Sequence, residues 1–321
     1  MRISIALATY NGARNIKEQL ESYAAQSVIP DELIICDDAS TDETVEIISD
    51  FRGMAPFEII LINNENNLGH VQNFAKAISL CTGDIIFLSD QDDKWFPSKI
   101  ESIVRVFHQN PKCWIVIHDG ELTDGQLGPS GQTKMTQIQR GYGTAENIST
   151  GALSAVRRDL LKYVLPIPSG ISAHDTWLHK VASILPARRI VLKQTLQYIR
   201  RHDKNTSSWV VNSGKKLTRL DVIRDQANTA PAYDYTDRLA INTGLKNAVV
   251  KIDKDLKCRS DLCATQRAKM LLARERRAIH SRQNLVGFNW LKRKLYASYM
   301  LLTGQYLHFN GIQSFIRDVI R

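Results

Sequence analysis

The fold of this chain is decided by the stretch Asp84-Ile85-Ile86-Phe87-Leu88-Ser89-Asp90-Gln91-Asp92-Asp93-Lys94-Trp95. Its apolar run predicts a buried strand. Three carboxylates in the next few residues repel one another, and they are costly at the end of a buried strand unless a cation neutralises them. Oxygen ligands suit hard cations such as Mg²⁺ or Mn²⁺. The stretch therefore predicts a metal site held by Asp90 and Asp92; the alternative is a solvated acidic turn that caps the helix after Pro97.

Strand-like and helical segments alternate on both sides of this stretch. Further strands are predicted at Ile3–Ala8, Glu32–Cys36, Phe57–Ile62 and Trp114–His118. Helices are predicted at Ala13–Gln26, Thr41–Arg52, Gly69–Leu80 and Pro97–Gln109. This order is typical of an α/β fold with a mostly parallel sheet flanked by helices. Ligands of such sheets bind beyond the carboxyl ends of the strands, so the polar residues there are the candidates for a site.

Two of these strand ends favour a nucleotide. The first strand is followed by Thr9-Tyr10-Asn11-Gly12, which offers backbone donors and a ring on which a base can stack. The second is followed by Asp37-Asp38-Ala39-Ser40-Thr41-Asp42, where a carboxylate can bind a pyrimidine N–H or a ribose hydroxyl. The alternative is that Asp38 and Ser40 cap the next helix, with Ser40 and Glu43 forming a capping box. The glycine fingerprint of dinucleotide folds and the lysine loop of P-loop enzymes are both missing from the sequence.

The second half of the chain is less regular. Residues Leu122–Thr150 predict loops or short strands, whereas His174–Leu185 predicts a helix and Arg189–Tyr198 a strand. From residue 211 to residue 321 the pattern predicts a helical C-terminal segment. The segment from Lys257 to Arg321 holds 13 Lys and Arg residues against 3 Asp and Glu, so it carries the whole of the chain's net charge of +9.

Composition places the chain among folded proteins of a reducing compartment. It is 43% hydrophobic and 23% charged, which is ordinary for a globular protein. Its five cysteines are odd in number and scattered, which predicts free thiols. No apolar run approaches the roughly 20 residues that cross a bilayer, and the apolar start of the chain is too short for a signal peptide. These features predict a cytoplasmic protein.

Four motifs in this order resemble a family 2 glycosyltransferase. They are Thr9-Tyr10-Asn11-Gly12, Asp37-Asp38-x-Ser40-x-Asp42, Asn67-x-Gly69, and Gly83-Asp84 with Ser89-Asp90-Gln91-Asp92-Asp93-x-Trp95. The resemblance covers about residues 1–210 and is greatest to the rhamnosyltransferase-like branch that builds bacterial surface polysaccharides. It implies a GT-A domain over residues 1–210, with a nucleotide-sugar half to about residue 110 and an acceptor half over 111–210. It also implies an inverting mechanism and a divalent cation.

The resemblance assigns roles residue by residue. Asp90 and Asp92 would face the metal and the diphosphate. The donor nucleotide sugar, with UDP or dTDP as its nucleotide, would be held by Thr9, Tyr10, Asn11, Asp37, Asp38, Asn67, Gly69, Asp90, Gln91, Arg200 and His202. The last two belong to a stretch, residues 200–205, that is similar to the branch's Arg-x-His-x-x-Asn motif; a solvated basic strand end is the alternative.

The catalytic base of the family lies in an acidic motif that corresponds here to Ala173-His174-Asp175-Thr176-Trp177. Asp175 keeps the carboxylate that takes the proton of the acceptor hydroxyl, and it can also serve as the helix N-cap. His174 stands where the family usually has Glu, and His174 and Trp177 are expected to contact the acceptor. The implied reaction is transfer of a sugar, with rhamnose from dTDP-rhamnose expected, to a glycan or lipid-linked acceptor. The alternatives are a nucleotidyltransferase and a catalytically impaired sugar-binding or scaffold protein.

The basic C-terminal segment could contact several kinds of partner. Basic residues of Gln266–Arg282 mix with apolar ones, and aromatic and apolar residues recur at helical spacing from Trp290 to Leu301. Such helices can lie on an anionic membrane, here the inner face of the cell membrane. They can equally pack on the catalytic domain or on a second subunit in a homodimer. Nucleic-acid binding is not expected, because no recognition motif accompanies the charge.

Overall fold

The computed structural model describes residues 1–141, 143–201, 215–218, 221, 235–256 and 258–320. The chain forms two compact units. The first comprises Met1–Ile167, Ala173–Ser183 and Ala187–Thr229, and the second Pro168–Ser172, Ile184–Pro186 and Ala230–Arg321. The domain boundary predicted between residues 210 and 211 lies outside the described residues.

The first unit is built on a mixed sheet of nine strands. In chain order they are β1 (Ile3–Thr9), β2 (Glu32–Asp37), β3 (Glu58–Asn63), β4 (Ile85–Ser89), β5 (Lys94–Trp95), β6 (Ile115–Thr123), β7 (Pro129–Thr133), β8 (Ser154–Arg157) and β9 (Arg189–Arg200). Their order across the sheet is β3-β2-β1-β4-β8-β6-β9-β5, and β7 pairs with β6.

The sheet changes character between its two halves. Strands β1 to β4 are parallel to one another, as predicted, and β6 is parallel to β9. Strands β5, β7 and β8 are antiparallel to their neighbours. The connection from β6 to β7 is too short for the crossover that a parallel pair needs, so β7 turns back beside β6. The predicted α/β class is confirmed, with a sheet that is parallel mainly in its first half.

Helices flank this sheet. They are α1 (Ile16–Ala24), α2 (Thr44–Arg52), α3 (His70–Leu80), α4 (Lys99–Gln109), α5 (Lys134–Gly141), α6 (Leu161–Val164) and α7 (His174–Ala182). Helix α5 was not expected, because its sequence is polar and lies in the stretch predicted as loops or short strands. It forms because the Asp119 carboxylate accepts from the N–H of Met135 at 2.9 Å and because Met135 and Ile138 are buried.

The start of α2 also differs from the prediction. Ser40 does not cap it: the Ser40 hydroxyl donates to Asp37 Oδ1 at 2.6 Å and accepts from the N–H of Asn11 at 2.8 Å. The carboxylate of Asp42 instead accepts from the N–H of Thr44 at 3.1 Å. Ser40 therefore joins the β1 and β2 strand ends rather than satisfying the helix.

The second unit is helical, which confirms the predicted C-terminal helical region. Its helices are α8 (Thr236–Asp255), α9 (Arg259–Asn284), α10 (Trp290–Leu302) and α11 (Ile312–Ile320). A small core contains Leu285, Ala297, Met300 and Tyr306. Beside it, Arg282 pairs with Asp318 through two hydrogen bonds of 2.8 and 3.0 Å, an arrangement that compensates two buried charges. None of the described helices is long and apolar enough to cross a membrane.

Helix α3 is joined to the strand ends by a buried carboxylate. Asp38 follows β2, and its Oδ1 accepts from the N–H of Leu68 at 2.7 Å and from the amide of Asn64 at 2.9 Å. Its Oδ2 accepts from the N–H of Gly69 at 2.9 Å. Gly69 has φ of 79°, which favours glycine at this position. Asp38 thus sets the loop from which α3 begins.

A buried amide fixes the same helix further along. The side-chain amide of Asn73 donates to the carbonyl of Cys36 at 2.8 Å and to that of Thr9 at 3.4 Å. These carbonyls lie at the ends of β2 and β1, and that of Thr9 also accepts from the N–H of Asp38 at 2.8 Å. Asn73 therefore ties α3 to the edge of the sheet at which the site lies.

We expect Asn73→Ala to lower the free energy of unfolding by about 1–3 kcal/mol, because two buried carbonyls lose a donor. Chemical denaturation followed by circular dichroism measures this difference. The control is Gln72→Ala at the neighbouring exposed position of α3, where a change within about 0.5 kcal/mol is expected. Equal stability of the two variants would show that the Asn73 bonds contribute nothing net.

Candidate active site

The loops after β1 and β2 are bound together through Asp37. The hydroxyl of Thr9 donates to Asp37 Oδ1 at 2.7 Å, and the N–H of Ser40 donates to Asp37 Oδ2 at 2.8 Å. Thr9, Asp37 and Asp38 are all buried, and their oxygens are engaged within the protein. In this structure these three predicted nucleoside contacts form the floor of the site.

Tyr10 and Asn11 lie above that floor at the surface. Asn11 has φ of 47°, and its Oδ1 accepts from the N–H of Thr41 at 2.8 Å, which joins the two loops again. The Tyr10 side chain is 48% exposed and open to a stacking partner. Asn67 is also exposed, and its Oδ1 accepts from the N–H of Gly69 at 3.0 Å. These residues remain the predicted nucleoside contacts that a ligand can reach.

Gln91 connects the acidic stretch to the first loop. Its side-chain amide accepts from the Tyr10 N–H at 2.9 Å and donates to the Tyr10 carbonyl at 2.9 Å. Gly12 permits this approach, because a Cβ there would lie 2.3 Å from Gln91 Oε1. The backbone under the Tyr10 ring is therefore fixed by a residue of the acidic stretch.

The acidic stretch brings three carboxylates together after β4. Oxygens of Asp90, Asp92 and Asp93 all lie within 4.8 Å of one another. Asp93 is buried, accepting from the Gln197 amide at 2.7 Å and from the Arg200 N–H at 3.1 Å. Asp90 and Asp92 are partly buried. Asp93 thus anchors the turn to β9, and Asp90 and Asp92 are left as the predicted metal-binding pair.

The electrostatics of this cluster favour a cation. Burial and repulsion from Asp92 and Asp175 raise the pKa of Asp90 to about 7. Burial and repulsion from Asp92 and Asp90 raise the pKa of Asp93 well above its usual value. A divalent cation between Asp90 and Asp92 would offset this repulsion, and carboxylate oxygens are its preferred ligands. The donor set therefore fits Mg²⁺ or Mn²⁺.

The Arg200 side chain stabilises the turn that carries the acidic cluster. Its guanidinium donates to the carbonyls of Asp92 and Gly125, both at 2.8 Å, and pairs with Glu18. Arg200 is buried, so in this structure it holds the backbone next to the metal-binding pair instead of facing a ligand. His202, which was predicted with it, lies outside the described residues. The contact of Arg200 with the diphosphate stays a prediction.

Lys99, a buried residue near the cluster, was missed by the sequence analysis. The amine of Lys99 donates to Gln197 Oε1 at 2.5 Å and lies 3.6 Å from the centre of the Trp95 ring. Burial lowers the pKa of Lys99 well below its usual value, against the opposing charge of Asp93. Through Gln197 this lysine supports the Asp93 anchor. A lysine inside an amphipathic helix gives no sign of such a role.

Asp175 lies at the start of α7 and faces the acidic cluster closely enough to raise the pKa of Asp90. Its Oδ1 accepts from the N–H of Thr176 at 2.6 Å, and its Oδ2 accepts from the N–H of Gly151 at 3.3 Å. Lys134, at the start of α5, lies near the same carboxylate. Burial lowers the pKa of Lys134 to about 8, and Asp175 opposes that shift. The structure thus brings Asp175 together with Asp90, as the proposed roles require.

His174 is a buried neutral ring beside Asp175. It is 7% exposed and stacks on Phe74, with 4.1 Å between ring centres. Neither ring nitrogen has a hydrogen-bond partner. Burial lowers the pKa of His174 to about 4, and the attraction of Asp175 offsets only part of this shift. An unpartnered buried polar group of this kind costs stability and fits a residue kept for contact with a substrate.

Trp177 differs from the prediction. It is 1% exposed, and its indole N–H donates to the Val164 carbonyl at 2.9 Å. It is a core residue that attaches α7 to α6, so its ring offers no surface to an acceptor. Its orientation is set by the packing of α7 on α6, which the spacing in the sequence does not show.

Fold and site together define an α/β protein with an acidic cluster beyond the strand ends that suits a metal. Residues 4–165, half of the chain, match the model of glycosyl transferase family 2. The chain belongs to this family.

Relatives by sequence agree with that assignment. An uncharacterized glycosyltransferase of Nostoc is 27% identical over 271 residues, which is 81% of each chain. A dTDP-rhamnosyl transferase of Shigella flexneri, RfbG, is 25% identical over 257 residues, covering 76% of this chain and 88% of the relative. The chain is a glycosyltransferase similar to a rhamnosyl transferase.

Solved structures show the same fold. Residues 1–349 of S. aureus TarS, in complex with UDP-GlcNAc, are 16% identical and superpose with a TM-score of 0.54 over 87% of this chain and 86% of that fragment. The mannosyltransferase PcManGT from Pyrobaculum calidifontis, in complex with GDP-Man and Mn²⁺, is 19% identical with a TM-score of 0.52 over 84% and 80%. The expected GT-A architecture is confirmed.

We expect His174→Leu to make stability less dependent on pH. The pKa of His174 in the folded chain, about 4, lies below its ordinary value of 6.5, so the unfolded chain binds more protons between these pH values. The wild type therefore loses stability as pH falls through this window, by up to about 1.4 kcal/mol per pH unit from this group. Denaturation curves at pH 7, 6 and 5 measure the loss, which we expect to be smaller in the variant.

The matched control is His108→Leu, at an exposed position of α4. This variant is expected to keep the pH dependence of the wild type. If His174→Leu keeps it too, His174 is not the buried neutral group that its surroundings indicate.

Proposed function

We propose that this glycosyltransferase is an inverting, metal-dependent enzyme. It transfers rhamnose from dTDP-rhamnose to a glycan or lipid-linked acceptor in the synthesis of a bacterial surface polysaccharide. The observation that carries the proposal is that Asp175, at the start of α7, lies near Asp90 and Asp92 after β4, close enough that Asp92 and Asp175 both raise the pKa of Asp90. A leaving-group site and a candidate base thus lie side by side.

The donor would lie across the loops after β1, β2 and β4. Tyr10 presents its exposed ring to the base, and the backbone around Asn11 is held by Ser40 and Thr41. Asp90 and Asp92 would hold a divalent cation, which supplies positive charge to the departing diphosphate. The backbone bonds from Arg200 keep this turn in place during the reaction.

Asp175 is assigned the proton transfer. Its carboxylate takes the proton of the acceptor hydroxyl as that oxygen attacks the sugar carbon from the face opposite the diphosphate, which inverts the configuration. The N–H groups of Gly151 and Thr176 fix the orientation of the carboxylate. His174, neutral and without a partner, lies where it can donate to or accept from another hydroxyl of the acceptor.

Support for the donor comes from the relatives. RfbG is named a dTDP-rhamnosyl transferase and covers most of this chain. A UDP-sugar is the alternative, since TarS was solved with UDP-GlcNAc. Support for the cation comes from the acidic cluster and from Mn²⁺ in the PcManGT complex.

We expect dTDP-rhamnose with Mn²⁺ to raise the melting temperature more than UDP-GlcNAc or GDP-mannose does. A donor at 100 times its Kd adds about 2.7 kcal/mol to stability, which shifts the melting curve measurably. The variant Asp92→Asn should lose the part of the shift that EDTA removes from the wild type. A larger shift with a UDP-sugar would replace the proposed donor, and an equal shift in EDTA would remove the metal from the site.

We expect Asp175→Asn to lower the rate of transfer by about 10²–10⁴-fold, because the base is lost while the shape of the side chain is kept. Donor binding, measured by calorimetry, should stay within about twofold of the wild type. The control is Asp50→Asn on the exposed side of α2, which should retain full activity. An Asp175→Asn enzyme that transfers at the wild-type rate would contradict the assignment of the base.

The replacement of the family's usual Glu by His174 supports one second candidate, a sugar-binding protein that has lost catalysis. This candidate predicts donor binding by the wild type without transfer to any acceptor and without metal-dependent hydrolysis of the donor. Slow hydrolysis by the wild type that Asp175→Asn reduces would exclude it.

A further inference from the structure

The last two helices expose an apolar stripe. On α10, Leu291, Leu295, Tyr299 and Leu302 are between 53% and 87% exposed. Because each residue of a helix turns by about 100°, positions spaced by four, four and three fall on one side. On α11, Ile312, Ile316 and Ile320 repeat the pattern with 47% to 77% exposure. We call these seven residues the apolar stripe.

The apolar stripe is distinct from the side of each helix that is buried in the second unit. Ala297 and Met300 lie on the opposite side of α10 and are fully buried in the core of the second unit. On α11, the buried residues Ser314 and Asp318 likewise lie opposite the stripe. Each helix therefore has one side that packs and one apolar side that faces solvent, and the second needs its own explanation.

Two lysines border the stripe on α10, within a segment of the chain that lacks acidic residues. From residue 276 to residue 317 the chain has no Asp or Glu, while it has seven basic residues: Arg276, Arg277, Arg282, Lys292, Arg293, Lys294 and Arg317. Helical geometry places Lys292 at one edge of the stripe on α10 and Lys294 at the other. The amine of Lys294 lies 3.8 Å from the centre of the Trp290 ring. Trp290 itself is 63% exposed, so an amphipathic ring and a cation share one edge.

We propose that α10 and α11 dock on the surface of a bilayer that contains anionic phospholipids. The apolar stripe would enter the boundary between headgroups and acyl chains, and Lys292 and Lys294 would reach the lipid phosphates from its edges. With 13 and 9 residues, the two helices fall short of the roughly 20 residues that cross a bilayer. They lie on the surface.

Charge decides between this partner and a second copy of the chain. A two-fold contact through the stripe would bring the acid-free segment 276–317 against itself, so its cations would face cations. Asp318, the next acid along the chain, is already paired with Arg282. Anionic lipids supply the charge that a second copy lacks. A nucleic acid would meet the cations and leave the seven apolar side chains in water.

This inference does not rest on the proposed function, because the binding needs neither donor nor acceptor. The test uses the full chain and vesicles of phosphatidylcholine, with or without about one third phosphatidylglycerol, at about 0.15 M salt. Flotation with the vesicles gives the partition coefficient. We expect binding to the anionic vesicles, at least tenfold weaker binding to the neutral ones, and weaker binding as salt rises.

Two pairs of substitutions separate the contributions. Leu291→Ser with Leu295→Ser should lower the partition coefficient more than tenfold, because two apolar side chains no longer leave water. Lys292→Gln with Lys294→Gln should lower it about fivefold for each lysine. The controls are Met54→Ser, also exposed and apolar, and Lys17→Gln with Lys112→Gln, all in the first unit; they should bind as the wild type does. The melting temperature of each variant checks its folding.

Three results would overturn the proposal. One is that the wild type does not float with anionic vesicles. Another is that the Leu291→Ser and Leu295→Ser pair binds as well as the wild type, which would leave only nonspecific attraction of charge. The third is a dimer in sedimentation velocity that the same pair converts to monomer while vesicle binding is unchanged, which would assign the stripe to a second copy.

Discussion

The repulsion among Asp90, Asp92 and Asp93 is the constraint on which the rest of the site depends. The chain places three carboxylates at the end of a buried strand, close enough together to raise the pKa of Asp90 and of Asp93. Asp93 is satisfied by Gln197 and by the backbone of Arg200, more than a hundred residues away. Asp90 keeps a pKa of about 7 because burial and its acidic neighbours act together. The fold thus holds together a cluster of carboxylates whose mutual repulsion a bound cation would offset.

The buried polar groups around this cluster lower the free energy of unfolding, and the apolar core must offset this loss. Lys99 lies in the interior on Gln197 and Trp95, and His174 stacks on Phe74 without a partner. A domain designed for stability alone would replace such groups by apolar ones. These groups lie around Asp90 and Asp175 in a protein with a large apolar core. Buried polar groups that lower the free energy of unfolding are typical of functional sites.

Local pattern predicted most of the first half of the fold. Strands β1, β2 and β4 are fully or almost fully buried, so they appear in the sequence as short apolar runs ended by polar turns, and the acidic cluster stands directly after β4. What escaped prediction depends on distant partners. Asn73 bonds the β2 end 37 residues away, Lys99 contacts Gln197 across 98 residues, and α5 is capped by Asp119 from 16 residues upstream. The periodicity of the sequence cannot predict contacts between residues so far apart. The inward orientation of Trp177 could not be predicted either, because it is set by the packing of α7.

The bond pair between Gln91 and the backbone of Tyr10 has a consequence for how ligands are taken up. Gln91 stands between Asp90 and Asp92, so any rearrangement of that turn around a cation also moves the amide that holds Tyr10. Cation and nucleobase would then act on one shared conformational equilibrium. Linkage requires the effect to be reciprocal: whatever factor the cation adds to the affinity for the base, the base adds to the affinity for the cation. Through this turn, a single glutamine would make the binding of the two ligands cooperative.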